Sequence, residues 1–308
     1  LEALLSVRGL TRRYGERQAL AGLDLRLAKG EVLGLLGPNG AGKTTCLQVL
    51  SGNLAPSAGK IHILGEDLVR RPRHAKRHLG YLPERPPLHL DMRVDEYLDY
   101  CARLHRMPRA ARSVAVPRTL ARCGLAGACR QVLGRLSKGY RQRVGIAQAI
   151  VHGPDLVILD EPTDGLDPVQ IREVRDLVRA LAAECGLILA SHRLSEVQAV
   201  CTRVLILKEG RVVHQAGLAV GEEQGHLTRC RVRLVSPPTT AELSRLRGVA
   251  AVQALDDGAF RVTLRPGAPT DALAASLVEG GYGLAELAPE RTDLERVFFE
   301  SLDGGAAA

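Results

Sequence analysis

Gly37-Pro38-Asn39-Gly40-Ala41-Gly42-Lys43-Thr44-Thr45 is the stretch around which the chain is arranged. It follows an apolar run, Val32-Leu33-Gly34-Leu35-Leu36, and precedes a helix-like segment from Cys46 to Ser51. The spacing Gly-x-x-x-x-Gly-Lys-Thr between a strand and a helix is that of a phosphate-binding loop. Its glycines permit positive-φ turns, so successive backbone N–H groups can converge on an anion. The helix behind it aims the positive end of its dipole at the same point. In such a loop Lys43 reaches the β- and γ-phosphates and the Thr44 hydroxyl ligates Mg²⁺. The alternative is a Gly-rich strand-to-helix turn that binds nothing; the strand, loop and helix context favours the phosphate site.

Downstream, Leu156-Val157-Ile158-Leu159-Asp160-Glu161 is a short apolar strand with two carboxylates at its C-terminal end. Open α/β sheets place ligands at that edge. Asp160 would hold Mg²⁺ through water, and Glu161 would polarise an attacking water; read alone, the pair could be solvated charges or a helix N-cap. Asp167-Pro168 reads as the cap and first residue of a helix to about Glu184. Leu187 to Ala190 is a strand ending in Ser191-His192. Upstream of Asp160, Leu136-Ser137-Lys138-Gly139-Tyr140-Arg141-Gln142-Arg143 sets a Ser and a Gly at a helix start, a second cluster of amides suited to an anion.

The remaining pattern fills in an α/β domain. Leu4 to Leu10 reads as a strand, Arg13-Tyr14-Gly15-Glu16 as a turn, and Leu20, Leu23, Leu25 and Leu27 as a half-buried strand. Lys60 to Leu64 and His78 to Leu82 are further strands, the second stopped by the loop Pro83-Glu84-Arg85-Pro86-Pro87. From Arg93 to about Val151 the apolar period is helical, punctuated by Pro108 and Pro117. Val204 to Lys208 and Arg211 to His214 form a hairpin around Glu209-Gly210. After about Gly225 the order becomes strand, helix, hairpin, helix, strand, which suggests a ferredoxin-like α+β unit. Thr292 is placed to cap a last helix, and Gly304 to Ala308 to form a loose tail. The expected domains are 1–222, with a helical subdomain at about 85–153, then an accessory domain at 226–303 and a flexible tail at 304–308.

Composition narrows the setting. The 308 residues are 45% apolar and 25% charged, ordinary for a soluble globular protein. Of the +8 net charge, the first 225 residues carry +10 and the remainder −2, with the Arg dispersed as on a solvated mixed surface. Seven Cys without a Cys-x-x-Cys pair argue against a disulfide framework or a zinc site, and fit a reducing cytosol. No apolar run approaches the roughly 20 residues that span a bilayer, and no signal segment is evident. A role at a membrane therefore requires spans from another chain.

Taken in order, Tyr14, Gly37–Thr45, the loop at Glu84, Leu136–Tyr140, Leu156–Glu161, Gly165-Leu166-Asp167 and Ser191-His192 resemble the motifs of the ATP-binding cassette (ABC) ATPase family, over residues 1 to about 220. The resemblance implies a P-loop ABC ATPase fold with a helical subdomain, ATP and Mg²⁺ as ligands, and Lys43, Glu161 and His192 as the catalytic set. It implies that Tyr14 stacks on adenine and that His192 touches the γ-phosphate. Ser137, Lys138 and Gly139 would contact the γ-phosphate held by an opposite subunit, with Asp167 at the dimer contact. Glu84 stands where the family usually has Gln, a Mg²⁺/water contact and coupling position, and Leu-Ser-Lys-Gly-Tyr stands where it has Leu-Ser-Gly-Gly-Gln. These variants, with Leu294-Glu295-Arg296-Val297-Phe298, resemble an exporter branch that includes gliding-motility-type and multidrug-type ATPases. That branch implies separate transmembrane permease subunits, a homodimer or pseudo-dimer of ATP-binding subunits, and a peripheral place on the cytoplasmic face of the inner membrane, with no nucleic acid. The rivals are a soluble ABC-type ATPase acting on nucleic acid or ribosomes and a nucleotide-switched regulatory module. The first usually has two cassettes in one chain or a long coiled coil; neither is present.

Overall fold

The computed structural model describes residues 3–218, 229–265, 267–289, 294, 295, 298 and 299. Thr292, the stretch 304–308, and Arg296 and Val297 of the Leu-Glu-x-Val-Phe pattern lie outside them. The chain divides into two compact units at about residue 220.

In the first unit the elements run β1 (Leu5–Tyr14), β2 (Arg17–Leu27), β3 (Val32–Leu36), α1 (Lys43–Leu50), β4 (Ala58–Ile63), β5 (Glu66–Asp67), α2 (Pro72–Ala75), β6 (Leu79–Leu82), α3 (Val94–Leu104), α4 (Arg109–Arg122), α5 (Lys138–Ile150), β7 (Leu156–Asp160), α6 (Pro168–Ala182), β8 (Gly186–Ser191), α7 (Leu194–Val200), β9 (Arg203–Lys208) and β10 (Arg211–Gly217). Two sheets result. One is antiparallel, in the order β2-β1-β4-β5; the other runs β10-β9-β3-β8-β7-β6. In the second sheet every neighbour from β9 to β6 is parallel, and β10 closes one edge antiparallel. β3, β7 and β8 are buried at every position. Parallel strands covered on both faces read as unbroken apolar runs rather than alternations, which is how these three segments stand in the sequence. β2 shows the other pattern, with Leu20, Leu23, Leu25 and Leu27 buried between more exposed residues.

α1 shares one continuous core with both sheets: Cys46, Leu47, Val49 and Leu50 pack with Leu5, Leu10, Ile61 and Ile63 on one side and Leu33, Ile158 and Ile188 on the other. The helix that carries the phosphate loop is thus clamped between two sheets, which fixes where its N-terminus points.

The structure moves some expected boundaries. Tyr14 pairs with Arg17, so Arg13 and Tyr14 belong to β1 and the turn is only Gly15-Glu16. Gly15, at φ 58, supplies the positive dihedral that a two-residue hairpin demands. α1 begins at Lys43 rather than Cys46, because Gly42 is its cap. Pro117 lies inside α4 instead of interrupting the helix. Its fixed φ suits a helix, and Ser113, whose carbonyl loses its partner, is exposed to water. α7, between His192 and β9, was not foreseen.

The second unit contains β11 (Arg229–Leu234), α8 (Thr240–Ser244), β12 (Val249–Ala254), β13 (Phe260–Leu264), α9 (Thr270–Glu279) and β14 (Leu284–Pro289). Its sheet is antiparallel in the order β12-β13-β11-β14, a split β-α-β arrangement. Alternation along β11 buries Cys230, Val232 and Leu234, which share a core with Leu243 of α8 and with Leu273 and Leu277 of α9.

Leu47 is fully buried in the core common to both sheets. Leu47→Ala should lower stability by about 2–5 kcal/mol in urea denaturation, the cost of a core cavity; a loss near zero would show that α1 is not clamped as described.

Candidate functional site

The site is built at the C-terminal edge of the parallel sheet. Register sets Leu36 of β3 opposite Ser191 of β8, Asp160 of β7 opposite Ala190 of β8, and Leu82 of β6 opposite Leu159 of β7. Four adjacent strands therefore end at one level, and the residues that follow them meet there.

The loop after β3 closes on Gly42, at φ 104, which caps α1 with no side-chain hydrogen bond; α1 has no acidic residue in its first turn. Its first amides are left without a side-chain acceptor, the condition for an anion to take them. Lys43 is only 6% exposed, and its Nζ donates to the carbonyls of Gly37 (2.7 Å) and Pro38 (3.2 Å). Burial lowers its pKa, while Glu161, Asp160 and Glu84 pull it back up. The motif glycines serve different needs. A Cβ on Gly37 would stand 2.4 Å from the Leu207 carbonyl, and one on Gly42 2.7 Å from that of Ala19, so both let the loop press onto β9 and β2. Gly40 (φ 81) has open space around it and leaves the backbone approachable.

Asp160 is fully buried, and neither carboxylate oxygen has a hydrogen-bond partner of good geometry. Burial pushes its carboxyl up to about 6; the Thr44 hydroxyl and Lys43 pull against this, and Glu161 and Glu84 add to it. Orphaned carboxylate oxygens are costly in a protein interior. A divalent cation shared with the Thr44 hydroxyl satisfies them, so the donor set fits Mg²⁺. Among the described residues there is no group of three or more His, Cys, Asp or Glu that could hold a metal ion.

Glu161 follows in a positive-φ conformation (φ 46), its amide bonded to the Ala190 carbonyl at 3.0 Å. That strained turn reverses the chain so that the carboxylate faces the cleft. His192 Nδ1 lies 3.0 Å from Glu161 Oε1. The segment carrying His192 is pinned by a residue that sequence reading missed. Ser191 Oγ donates to Glu196 Oε2 (2.9 Å) and accepts from the Arg193 amide (3.0 Å), and Arg193 forms an ion pair with Glu196 at 3.3 Å. Glu196 is 4% exposed, in the first turn of α7. Its signal was a lone Glu five residues after the Ser, too short an element to recognise.

A cleft of about 550 Å³ joins these parts. Tyr14, Asn39, Gly40, Gly42, Lys43, Thr44, Thr45, Glu84, Glu161 and His192 line it, together with Arg17, Ala19 and Asp164, which were not singled out. Gly37, Pro38, Ala41 and Asp160 do not line it. Ser137, Lys138, Gly139 and Asp167 are outside it as well. Ser137 caps α5, accepting the Tyr140 amide at 3.4 Å, and Asp167 caps α6, accepting that of Gln170 at 2.9 Å. Lys138 pairs with Asp164 at 3.5 Å, and the Gln170 side chain lies where a Cβ of Gly139 would be.

Asp160, with a carboxyl at about 6 against an ordinary 3.8, holds its proton in the fold after the unfolded chain has lost it, so stability falls as pH rises between those values. In protein free of nucleotide and divalent ions, Asp160→Asn should therefore stabilise at neutral pH, by on the order of 2–3 kcal/mol. The gain should vanish near pH 4. Thermal melts at both pH values check the sign; a loss of stability at neutral pH would contradict it.

A profile of the ABC transporter family matches residues 20–164. The chain is 42% identical over 203 residues to an uncharacterized ABC transporter ATP-binding protein of Nostoc, an alignment spanning 65% of this chain and 60% of that one. It is 37% identical over 213 residues to the Nod factor export ATP-binding protein I of Paraburkholderia xenovorans, spanning 69% of this chain and 70% of that one. Among solved structures it is similar to the ATP-binding subunit of an ABC transporter, with a TM-score of 0.64 and 31% identity, over 70% of this chain and 90% of that one. With the phosphate loop, the buried Asp160 and the Glu161–His192 pair in their places, the chain belongs to the family of ABC transporter ATP-binding proteins.

Proposed function

We propose that this chain binds and hydrolyses ATP as the energising subunit of a membrane exporter, and that two copies close around each pair of nucleotides. The observation that carries the reading is the convergence, at one sheet edge, of the side-chain-free start of α1, buried Lys43, and the unpartnered Asp160 carboxylate beside Thr44. The α1 amides and Lys43 take the β- and γ-phosphates. Thr44 and Asp160 hold Mg²⁺, with Glu84 on the cleft wall near them; when bound, the ion neutralises phosphoryl charge. Glu161 accepts the proton of the attacking water, and His192, oriented through its Nδ1 contact, presents its other nitrogen toward the γ-phosphate. Tyr14 offers the base a ring at the mouth of the cleft.

Ser137, Lys138, Gly139 and Asp167 do not line their own chain's cleft. That supports a head-to-tail dimer in which the start of α5 completes the site of the other copy. No helix among the described residues is long and apolar enough to cross a membrane, and the matched relatives are named as transporter ATP-binding proteins. On this reading the transmembrane permeases are separate chains, and this subunit works on the cytoplasmic membrane face. The loop from Glu84 and the helices within residues 85–153 carry the stroke to them, and the unit after residue 226 supports the dimer or docks a partner.

Glu161→Gln should keep ATP affinity, lose hydrolysis by about 10²–10⁴-fold and elute as an ATP-loaded dimer in size-exclusion chromatography; turnover at the unmodified rate would overturn the assignment. Dimeric sites have a separate signature. Lys43→Ala and Ser137→Arg chains should each be inactive alone, while their mixture regains hydrolysis, because one mixed site contains neither change. No recovery would place Ser137 outside the nucleotide site of the other copy.

A further inference from the structure

We infer that Arg12 is a positioning residue for the nucleotide base: its guanidinium backs the Tyr14 ring and sets the plane on which the base stacks. The inference rests on the reading of the cleft as an ATP site and adds a residue to it. Tyr14 ends β1 at the tip of a hairpin and is 45% exposed. Its sequence neighbours Gly15 and Glu16 are exposed as well, so the tip offers little packing to hold an aromatic ring. One contact does. The Arg12 guanidinium carbon lies 4.6 Å from the ring centroid, within cation–π range.

Arg12 is itself tethered. Its Nη1 donates to the Ala55 carbonyl at 3.0 Å, which ties the tip of the first hairpin to the segment after α1. Its Nε is buried and has no hydrogen-bond partner. A buried N–H without an acceptor is unfavourable and calls for a reason. A lysine could reach Ala55 without burying such a group. What arginine alone adds is a flat cation that stacks along a ring face. With one face covered, the ring keeps its orientation before ligand arrives, and only the other face remains for a base. A pre-ordered platform spares the binding step the entropy of ordering it.

The test separates base from phosphates. The full chain is titrated calorimetrically with Mg-ATP and with Mg-tripolyphosphate, as wild type, Arg12→Leu, Arg12→Lys, Tyr14→Ala and the Arg12→Leu/Tyr14→Ala double variant. Tyr14→Ala should weaken ATP about tenfold, the scale of a lost base–aromatic stack. Arg12→Leu should weaken it about two- to fivefold and tripolyphosphate by less than about twofold, with no further loss in the double variant. Arg12→Lys, which keeps the charge and not the plane, should fall between. Because the chain has no Trp, Tyr14→Trp supplies a unique fluorophore, whose quenching by ATP should diminish when Arg12→Leu is added. The inference is overturned if Tyr14→Ala loses ATP affinity and the Arg12 variants do not, or if they lose ATP and tripolyphosphate alike. Normal ATP binding by Tyr14→Ala would overturn the stacking role of Tyr14 itself, and that of Arg12 with it.

Discussion

Everything in the first unit depends on keeping two charges, Lys43 and Asp160, inside the end of an apolar sheet. Lys43 is 6% exposed and Asp160 is not exposed at all. Neither faces a full set of partners: the ammonium is held by the Gly37 and Pro38 carbonyls, and the carboxylate oxygens are orphaned. Isolated buried charges are strongly unfavourable. The core must supply the difference, and it does so mainly with Leu, Ile, Val and Ala, since the chain has no Trp and little aromatic content. A site that is poorly satisfied while empty is one whose electrostatics are arranged for what enters it.

The sheet makes that arrangement by register rather than by any loop of its own. β3, β7 and β8 are neighbours whose ends align, so the next residue or two along each chain segment fall into one cleft. One strand gives the phosphate loop, the second the carboxylates, the third His192, and the adjoining β6 leads to Glu84. Because each strand is packed on both faces, a slip by one residue would swap every side chain between two close-packed faces and disrupt both. Precision at the site is inherited from packing beneath it.

The sequence was readable where residues act locally and opaque where they act by approach. The loop, the cap Asp167 with Pro168 opening its helix, and the apolar strands are local patterns, and each stands where the spacing predicts. The turn at Tyr14 was drawn too wide, because Arg13 and Tyr14 look turn-like until their pairing with β2 is known. Pro117 was taken as punctuation because propensity does not reveal that the abandoned carbonyl faces water. Glu196, Arg17 and Asp164 are isolated polar residues outside any motif spacing: Glu196 meets Ser191 and Arg193 within one short turn, Asp164 meets Lys138 of a distant helix, and Arg17 reaches the cleft from β2. Arg12 was the exception. Two residues before Tyr14 on a strand, it falls on the same side of the sheet, so its proximity to the ring was present in the sequence.

The balance of charge around the cleft bears on the proposal that one copy is half a site. Glu84, Glu161 and Asp164 line it and Asp160 lies just behind, against Lys43, Arg17 and the α1 amides. A triphosphate adds several negative charges to a wall already rich in carboxylates. Mg²⁺ would offset part of this, yet the proposed place of the γ-phosphate is beside Glu161, the proposed proton acceptor. Further donors are needed on the open side, and they must not be carboxylates. The start of α5 meets that need: Ser137 caps, and Lys138 and Gly139 open, a helix with no acidic residue in its first turn, and in its own chain these residues do not line the cleft. In the proposed dimer, a second copy brings one such helix start against the open side of the other's cleft. In the proposed dimer, closure on a second copy supplies the charge balance that ATP binding needs, and loss of the γ-phosphate removes that need.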